Sequence, residues 1–290
     1  MLLKSLVHQN SIFGTSYLRY LIALACFLGL GWYIYHGWAD LSFSALTIQL
    51  WPLLFAIMLL PINYGLEAMK WKHVNAHLNF HQAYCAVLSG QATSVLFPMR
   101  MGAFVGRKLQ TPQSEWISAS LSSAKLAIMQ HMVIFCFGLM SLSVIPSTII
   151  PHWTWLALAL VGCTIVLFGY FFKPIWLTHS QQSFSWLILF LSISRYLVFT
   201  GQLWLLFKAF HLNVNLTAIF AYWVFISLIP IQLFGGVLVR ESVGITWFAI
   251  HLFMPVNAVI AALFTLWLMN VVLPALTGYY FLIRRLKQWH

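Results

Sequence analysis

Two charged residues stand side by side where the chain is otherwise apolar. Arg240 and Glu241 separate two runs without Asp, Glu, Lys or Arg, residues 209–239 and 242–283. A charge in so apolar a setting is costly, and such residues usually face a protein interior or a wet cavity. Arginine suits a phosphate there, because its planar fork matches phosphate oxygens and stays charged. The pair therefore indicates a phosphate-binding site or, as the alternative, an internal ion pair that fixes the local structure.

The residues before this pair disfavour a continuous helix. Pro230 is followed by two glycines, and both residue types interrupt helices. Arg240 follows Gly235 by five positions, and in the first half Arg107 follows Gly102 by the same interval. The two stretches predict broken helices around a polar site. Their candidate substrate-binding residues are Pro230, Gly235, Gly236, Arg240, Glu241, Arg100, Gly102 and Arg107.

Two further cations fall inside apolar segments. Lys125 and Arg195 each lie about ten residues into a predicted membrane span, where a cation is costly. We therefore expect each to face a cavity or a carboxylate. Glu67 and Glu241 are the acids near enough to supply that carboxylate. The alternative is that both side chains reach toward the membrane surface. Both residues join the candidate substrate-binding set.

The remaining reactive side chains do not assemble into a catalytic or metal site. His73, His77 and His81 share one helix face, but no nearby Cys or acid completes a zinc site, so an interfacial helix is favoured. The four cysteines have no metal-ligand spacing. The sequence shows no nucleophile–base pair, phosphate loop or ATP motif. We therefore expect no catalytic residue, metal or cofactor, and no enzymatic activity.

Composition predicts the environment of these residues. Hydrophobic residues make up 62% of the 290 residues and charged residues only 7%, which is typical of a polytopic membrane protein. The net charge of +11 comes mainly from Lys and Arg at the ends of apolar runs. That distribution matches the excess of basic residues in cytoplasmic loops and argues against nucleic-acid binding. It places both termini in the cytoplasm.

The uncharged runs predict an all-α membrane protein with six to eight transmembrane helices and two re-entrant hairpins. A crossing needs about 20 apolar residues. Halves 1–150 and 151–290 of one transmembrane domain would then form an inverted repeat, an architecture that places substrate sites at broken helices. If both hairpins cross fully, about eight crossings result. The predicted crossings are 20–38, 46–66, 116–145, 153–172, 184–207 and 256–283, with re-entrant hairpins over 83–98 and 217–252.

The two Pro–Gly–Arg stretches resemble the transmembrane, flippase-like family of lysylphosphatidylglycerol synthases. The second stretch is similar to the family's Pro…Gly-Gly-x-x-x-Arg-Glu signature, and the first to its Pro-x-Arg-x-Gly-acid run. Ala103 stands at the position after Gly102 that is commonly acidic in the family. The resemblance implies a bacterial inner-membrane protein without the transferase domain.

The same resemblance implies a function in lipid handling. We expect translocation, by alternating access, of an anionic or aminoacylated phospholipid that offers a phosphate headgroup. The alternative is a non-transporting accessory factor for a membrane-bound lipid-linked glycosyl- or aminoacyl-transferase. The sequence leaves the lipid, the energy source and the oligomeric state open.

Overall fold

The computed structural model describes residues 47–96, 102–111, 116–142, 162, 186–229 and 237–287, and every regular element within them is helical. Widened π-helical turns extend the seventh helix over Ile245–His251 and join the last two over Leu268–Val272. The helices are α1 (Leu50–Val74), α2 (Phe80–Leu96), α3 (Gly102–Gln110), α4 (Trp116–Leu142), α5 (Trp186–Ala209), α6 (Leu216–Leu228), α7 (Val237–Gly244), α8 (Val256–Trp267) and α9 (Leu273–Lys287).

Four helical stretches in the described residues are long and apolar enough to cross a membrane. They are Leu50–Val74, Ser118–Ser141, Trp186–Ala209 and Val256–Arg285. Large apolar side chains point outward from them: Trp51 is 74% exposed and Trp186 77%. Polar groups are turned inward instead, which is the arrangement expected where lipid is the solvent. The chain is an all-α membrane protein with several candidate spans, as its composition predicted. The predicted crossing 20–38 lies outside the described residues, and only residue 162 of the predicted crossing 153–172 is described.

Helices α1 and α5 pack side by side in opposite directions. The backbone N–H of Gln49, just before α1, donates to the carbonyl of Ala209 at the end of α5 over 2.9 Å. Helix α5 ends at Ala209, and the left-handed backbone of His211 (φ 59°) lets the Leu212 N–H donate back to the carbonyl of Phe207. Farther along the pair, Gln202 Nε2 of α5 donates to the carbonyl of Ala56 of α1 over 3.1 Å, so the two helices also meet along their length.

The end of α1 differs from the prediction. The predicted crossing 46–66 stops before Glu67 and Lys70, because charges usually mark the end of a span. Helix α1 instead continues to Val74, and Lys70 is 0% exposed. The helix can carry these charges because they pair with each other inside the bundle, over 2.7 Å. Lys70 is therefore an interior residue and not a surface anchor.

Helices α2 and α3 form a close antiparallel pair because glycines line their contact. A Cβ on Gly106 would collide with the carbonyl of Ser89, and a Cβ on Gly90 would approach the carbonyl of Ala103. The hydroxyl of Thr93 donates to the carbonyl of Gly102 over 2.6 Å. Small residues at such contacts let helices approach closely in a membrane. The contact fixes the direction of α3, which carries Arg107.

Helices α6 and α7 lie against the largest apolar core, which includes Tyr222, Phe207, Phe248 and Leu263. The indole Nε1 of Trp247, in the π-helical extension of α7, donates to the carbonyl of Ala218 near the start of α6 over 2.8 Å. Helix α6 has 13 residues, or about 20 Å at 1.5 Å per residue. That is shorter than the roughly 30 Å core of a bilayer.

Candidate functional site

A single carboxylate joins cations from three helices inside the bundle. Glu67 Oε2 lies 2.7 Å from Lys70 Nζ on the same helix and 3.2 Å from Arg195 Nη1 on α5. Its other oxygen, Oε1, accepts a hydrogen bond from Arg107 Nη2 of α3 over 2.7 Å. We call these four residues the Glu67 cluster. It ties α1, α3 and α5 together at one point.

Two asparagines hold Arg195 in place. The Nε of Arg195 donates to Asn63 Oδ1 over 3.1 Å, and Asn63 Nδ2 donates to Asn270 Oδ1 over 2.9 Å. Asn270 lies in the π-helical turn between α8 and α9, a feature that often occurs at functional sites. The network therefore extends the Glu67 cluster to the last helix pair. It fixes the orientation of the Arg195 guanidinium.

Lys70 is held by a second polar chain. Its Nζ donates to Gln130 Oε1 of α4 over 3.0 Å, and Gln130 Nε2 donates to the carbonyl of Ser192 over 3.3 Å. Lys70 is 0% exposed, so this ammonium is fully committed to protein partners. Lys70 therefore holds the Glu67 carboxylate in position and is not accessible to a ligand.

Arg107 is positioned by both its helix and an aromatic ring. Its guanidinium carbon lies 5.0 Å from the ring centroid of Trp71, which is within the range of a cation–π contact. Arg107 itself is 9% exposed. The close glycine contact of α2 with α3 brings it this near to α1. Arginine is favoured at such a place because it pairs and stacks at once.

The charges of the Glu67 cluster do not balance. One carboxylate faces three cations. Isolated charges in a low-dielectric interior are costly, so an excess of positive charge there favours binding of a further anion. Lys70 is enclosed, whereas the Arg195 side chain remains 24% exposed. The open side of the cluster is therefore formed by arginine, the residue best suited to phosphate oxygens.

A cavity of about 560 Å³ opens beside the cluster. Glu67, Arg107 and Arg195 all lie on its wall, together with hydroxyl and amide groups from α1, α2, α4 and α6. Its size is within the range of small-molecule sites, and a few convergent polar groups in such a cavity are typical of a binding site. The polar wall residues besides the cluster are Tyr64, Gln91, Ser120, Ser123, Gln130, His131 and Ser227.

Arg240 and Glu241 lie apart from this cavity wall, on α7. The hydroxyl of Tyr222 donates to the backbone carbonyl of Arg240 over 3.0 Å. Glu241 is 3% exposed. Among the described residues, neither carboxylate oxygen of Glu241 nor Nε and Nη1 of Arg240 has a hydrogen-bond partner. Arg240 and Glu241 stay predicted site residues, with the internal ion pair as the alternative.

The other predicted site residues separate into three groups. Arg107 and Arg195 meet at the Glu67 cluster. The backbone carbonyl of Gly102 accepts a hydrogen bond from the hydroxyl of Thr93. Lys125 is half-buried on α4 and does not line the cavity. The predicted residues Arg100, Pro230, Gly235 and Gly236 lie outside the described part of the chain.

Sequence reasoning missed Glu67 as the centre of the site, together with Asn63, Lys70 and Asn270. A signal was present, because positions 63, 67 and 70 share one face of a helix and all carry polar side chains in an apolar stretch. The described residues hold no group of three or more His, Cys, Asp and Glu able to bind a metal.

The fold and the buried ionic site together define the class, an all-α membrane protein with an internal polar cavity. Comparison with protein-family models, curated proteins and solved structures found no match for this chain.

Proposed function

We propose that this protein moves a phosphate-bearing lipid between the leaflets of a membrane, with the headgroup held in the cavity beside the Glu67 cluster. The observation that carries the proposal is the cluster's excess positive charge on the wall of a cavity of about 560 Å³. A headgroup phosphate supplies the missing negative charge. Arg195 and Arg107 would meet its oxygens, and the hydroxyls of the wall would bind the rest of the headgroup.

The position of the site supports translocation in preference to surface binding. Glu67 and Arg195 lie within helices that are candidate spans, Leu50–Val74 and Trp186–Ala209. A charged headgroup that crosses the bilayer needs polar partners along its path, because a bare charge in hydrocarbon costs several kcal/mol. A cavity with fixed arginines at this depth would lower that cost. The acyl chains would stay in the lipid.

The proposal includes the re-entrant architecture. Helices α2 and α3 in the first half of the chain, and α6 and α7 in the second half, are short helices that contact each other in pairs. The bond from Trp247 to the carbonyl of Ala218, and the bond from Thr93 to the carbonyl of Gly102, are the contacts that support hairpins in both halves. Two such hairpins in opposite orientation would allow alternating access around one site. The resemblance to the flippase-like family also favours a translocation mechanism by alternating access.

A leaflet-exchange assay tests the function. The purified full chain is reconstituted into liposomes with a labelled lipid, and the label exposed on the outer leaflet is followed by a quencher that does not cross membranes. The panel contains phosphatidylglycerol, its lysyl ester and phosphatidylcholine. We expect exchange above protein-free liposomes for phosphatidylglycerol or for its lysyl ester. If the exchange rate with protein equals that of protein-free liposomes for every lipid in the panel, the proposal is wrong and a non-transporting accessory role is favoured.

A further inference from the structure

Glu241 on α7 is a buried carboxyl group whose surroundings differ from those of Glu67. Glu67 is held by three cations. Glu241 is 3% exposed, and neither of its carboxyl oxygens has a hydrogen-bond partner among the described residues. An ionised carboxylate in this position is costly, because it has lost water and has gained no donor in return. A carboxyl group that carries a proton is uncharged and avoids most of that cost.

The helix face that carries Glu241 is otherwise apolar. Gly244 and Ile245 follow Glu241 by three and four positions, so they share its face of the helix. A Cβ on Gly244 would collide with the side chain of Leu263 on α8 and would lie 3.6 Å from the ring of Tyr222 on α6. Ile245 is 7% exposed. Glu241 therefore lies on the side of α7 that packs against α6 and α8.

Few ionisable groups in the described part of the chain surround Glu241. Helix α7 packs against α6, α8 and its own π-helical extension. Tyr222 is the ionisable side chain of α6, and its hydroxyl donates to the carbonyl of Arg240 over 3.0 Å. The sequence of α8 contains no ionisable side chain, and the π-helical extension contains His251, ten positions beyond Glu241. Tyr222 and Arg240 are thus the groups close enough to act on the charge of Glu241.

An ion pair with Arg240 is the alternative to a proton on Glu241. The two residues are consecutive, and side chains at consecutive positions of a helix do not face each other. In the described part of the chain, Nε and Nη1 of Arg240 have no hydrogen-bond partner either. A proton neutralises Glu241 without any movement of Arg240.

The space around Glu241 also favours a proton as its ligand. Glu241 lies neither on the wall of the cavity beside the Glu67 cluster nor on that of the smaller cavity lined by His81 and Arg284. A proton needs no cavity, whereas a lipid headgroup does. Ionisable residues inside membrane proteins commonly form proton pathways. The π-helical turns that begin at Ile245 are a further feature that often marks functional sites.

We propose that Glu241 is a proton-binding site that couples lipid movement to proton movement. This inference rests on the proposed translocation of a lipid. Glu241 carries its proton while α7 is packed against α6 and α8. When the hairpin of α6 and α7 opens to one side, as alternating access requires, water reaches the carboxyl group, which ionises and releases the proton to that water. Before the hairpin closes, the carboxylate takes up a proton again, from the side to which it is then open.

Infrared spectroscopy of the full chain tests the bound proton directly. The C=O stretching band of a protonated carboxyl group is distinct from the amide bands, and a maltoside detergent adds no carbonyl of its own. Exposed carboxyl groups are ionised at neutral pH, so we expect a protonated-carboxyl band from the buried Glu241 in the wild type. Glu241→Gln should remove this band. Glu67→Gln is the control and should keep it, because three cations hold Glu67 as a carboxylate.

Three results would overturn the bound proton. The first is a wild-type spectrum at neutral pH without the band, which does not depend on any variant. The second is a band that persists in Glu241→Gln. The third is a Glu241→Gln chain that fails to fold, which is the result expected if an ion pair with Arg240 were broken. Glutamine resembles the protonated acid in shape and charge, so this variant should instead unfold at the wild-type temperature.

A proton gradient tests the coupling. Liposomes that contain the full chain and labelled phosphatidylglycerol are given different proton concentrations inside and outside. If one proton moves with each lipid, a tenfold difference in proton concentration should change the equilibrium ratio of label between the leaflets about tenfold. Protein-free liposomes and liposomes with Glu241→Gln should not show this change.

The coupling and the proposed function fail in different ways. Wild-type exchange that does not respond to the gradient, or an equal response in Glu241→Gln, would overturn the coupling. If the wild type exchanges no lipid with or without a gradient, the proposed function is wrong, and the infrared band still decides whether Glu241 binds a proton.

Discussion

Arg195 of α5 contacts Glu67 of α1 with its Nη1 3.2 Å from Oε2, and the same oxygen lies 2.7 Å from Lys70. Arg195 is the more open of the two cations, with 24% of its side chain exposed beside the cavity. The ion pair thus has an enclosed half, which fixes the carboxylate, and an open half, which faces the space for a ligand. The proposed headgroup site depends on this asymmetry.

The variant Glu67→Gln tests whether the cluster holds an excess of positive charge. Removing the carboxylate leaves three cations, of which Lys70 and Arg107 are buried, without a counter-charge. Breaking a buried ion pair costs about 3–5 kcal/mol of unfolding free energy. We expect a lower unfolding temperature in detergent. Added phosphate or phosphatidylglycerol should raise that temperature more in the variant than in the wild type, because the anion replaces the lost charge.

Asn63→Leu provides the matched control for this variant, since it removes a polar group from the same face of α1 and leaves the four charges. It should lower stability without increasing the response to anions. An equal response to anions in Glu67→Gln and Asn63→Leu would contradict the charge argument.

The glycine contact between α2 and α3 gives a second prediction. Gly106→Ala places a methyl group against the backbone of Ser89, and overpacking of this kind costs about 1–3 kcal/mol. Gly65→Ala is the control, because its nearest neighbour would be the Phe80 ring at 3.9 Å, an ordinary contact. We expect Gly106→Ala to lower the unfolding temperature and the exchange rate, and Gly65→Ala to change neither appreciably. Similar behaviour of the two variants would show that this contact does not position Arg107.

Water should reach the cavity beside the Glu67 cluster. Ser120 lies on its wall with an exposed hydroxyl, whereas Leu197 is 46% exposed on α5. In liposomes, Ser120→Cys should react with a charged thiol reagent that does not cross membranes, and Leu197→Cys should remain protected by lipid. Peptide mass spectrometry separates these sites from the native cysteines. Protection of both positions would mean that the cavity is closed to water.

The sequence predicted the all-α membrane class, the position of several candidate spans and part of the site. Uncharged runs gave the crossings near 116–145, 184–207 and 256–283, and the helices Trp116–Leu142 and Trp186–Ala209 and the span Val256–Arg285 correspond to them. Because a charge in lipid is costly, we expected Arg195 to face a cavity or a carboxylate, and Glu67 was one of the two candidate acids. The structure confirms the contact between Arg195 and Glu67. Both predictions need only the residue types within a short stretch of the chain.

The rest of the site depends on contacts between distant residues, which a single sequence does not contain. Arg107 was predicted from its spacing to Gly102, but its partners Glu67 and Trp71 are set by the packing of α3 on α1. Asn270 enters because a π-helical turn redirects it toward Asn63. Lys70 was predicted to lie at a membrane surface, because charges usually end a span. That prediction was wrong, because the ion pair with Glu67 allows Lys70 to be buried inside the bundle.

The most direct test of the central claim compares leaflet exchange of phosphatidylglycerol in the wild type, Arg195→Gln and Lys72→Gln. Arg195→Gln removes the open cation of the Glu67 cluster, and Lys72→Gln removes an exposed cation with the same change in charge. Hydrogen bonds to charged groups contribute about 1.5–3 kcal/mol, so exchange should fall roughly ten- to a hundredfold in Arg195→Gln. Lys72→Gln should keep the wild-type rate. Undiminished exchange in a folded Arg195→Gln protein would contradict the proposed headgroup site.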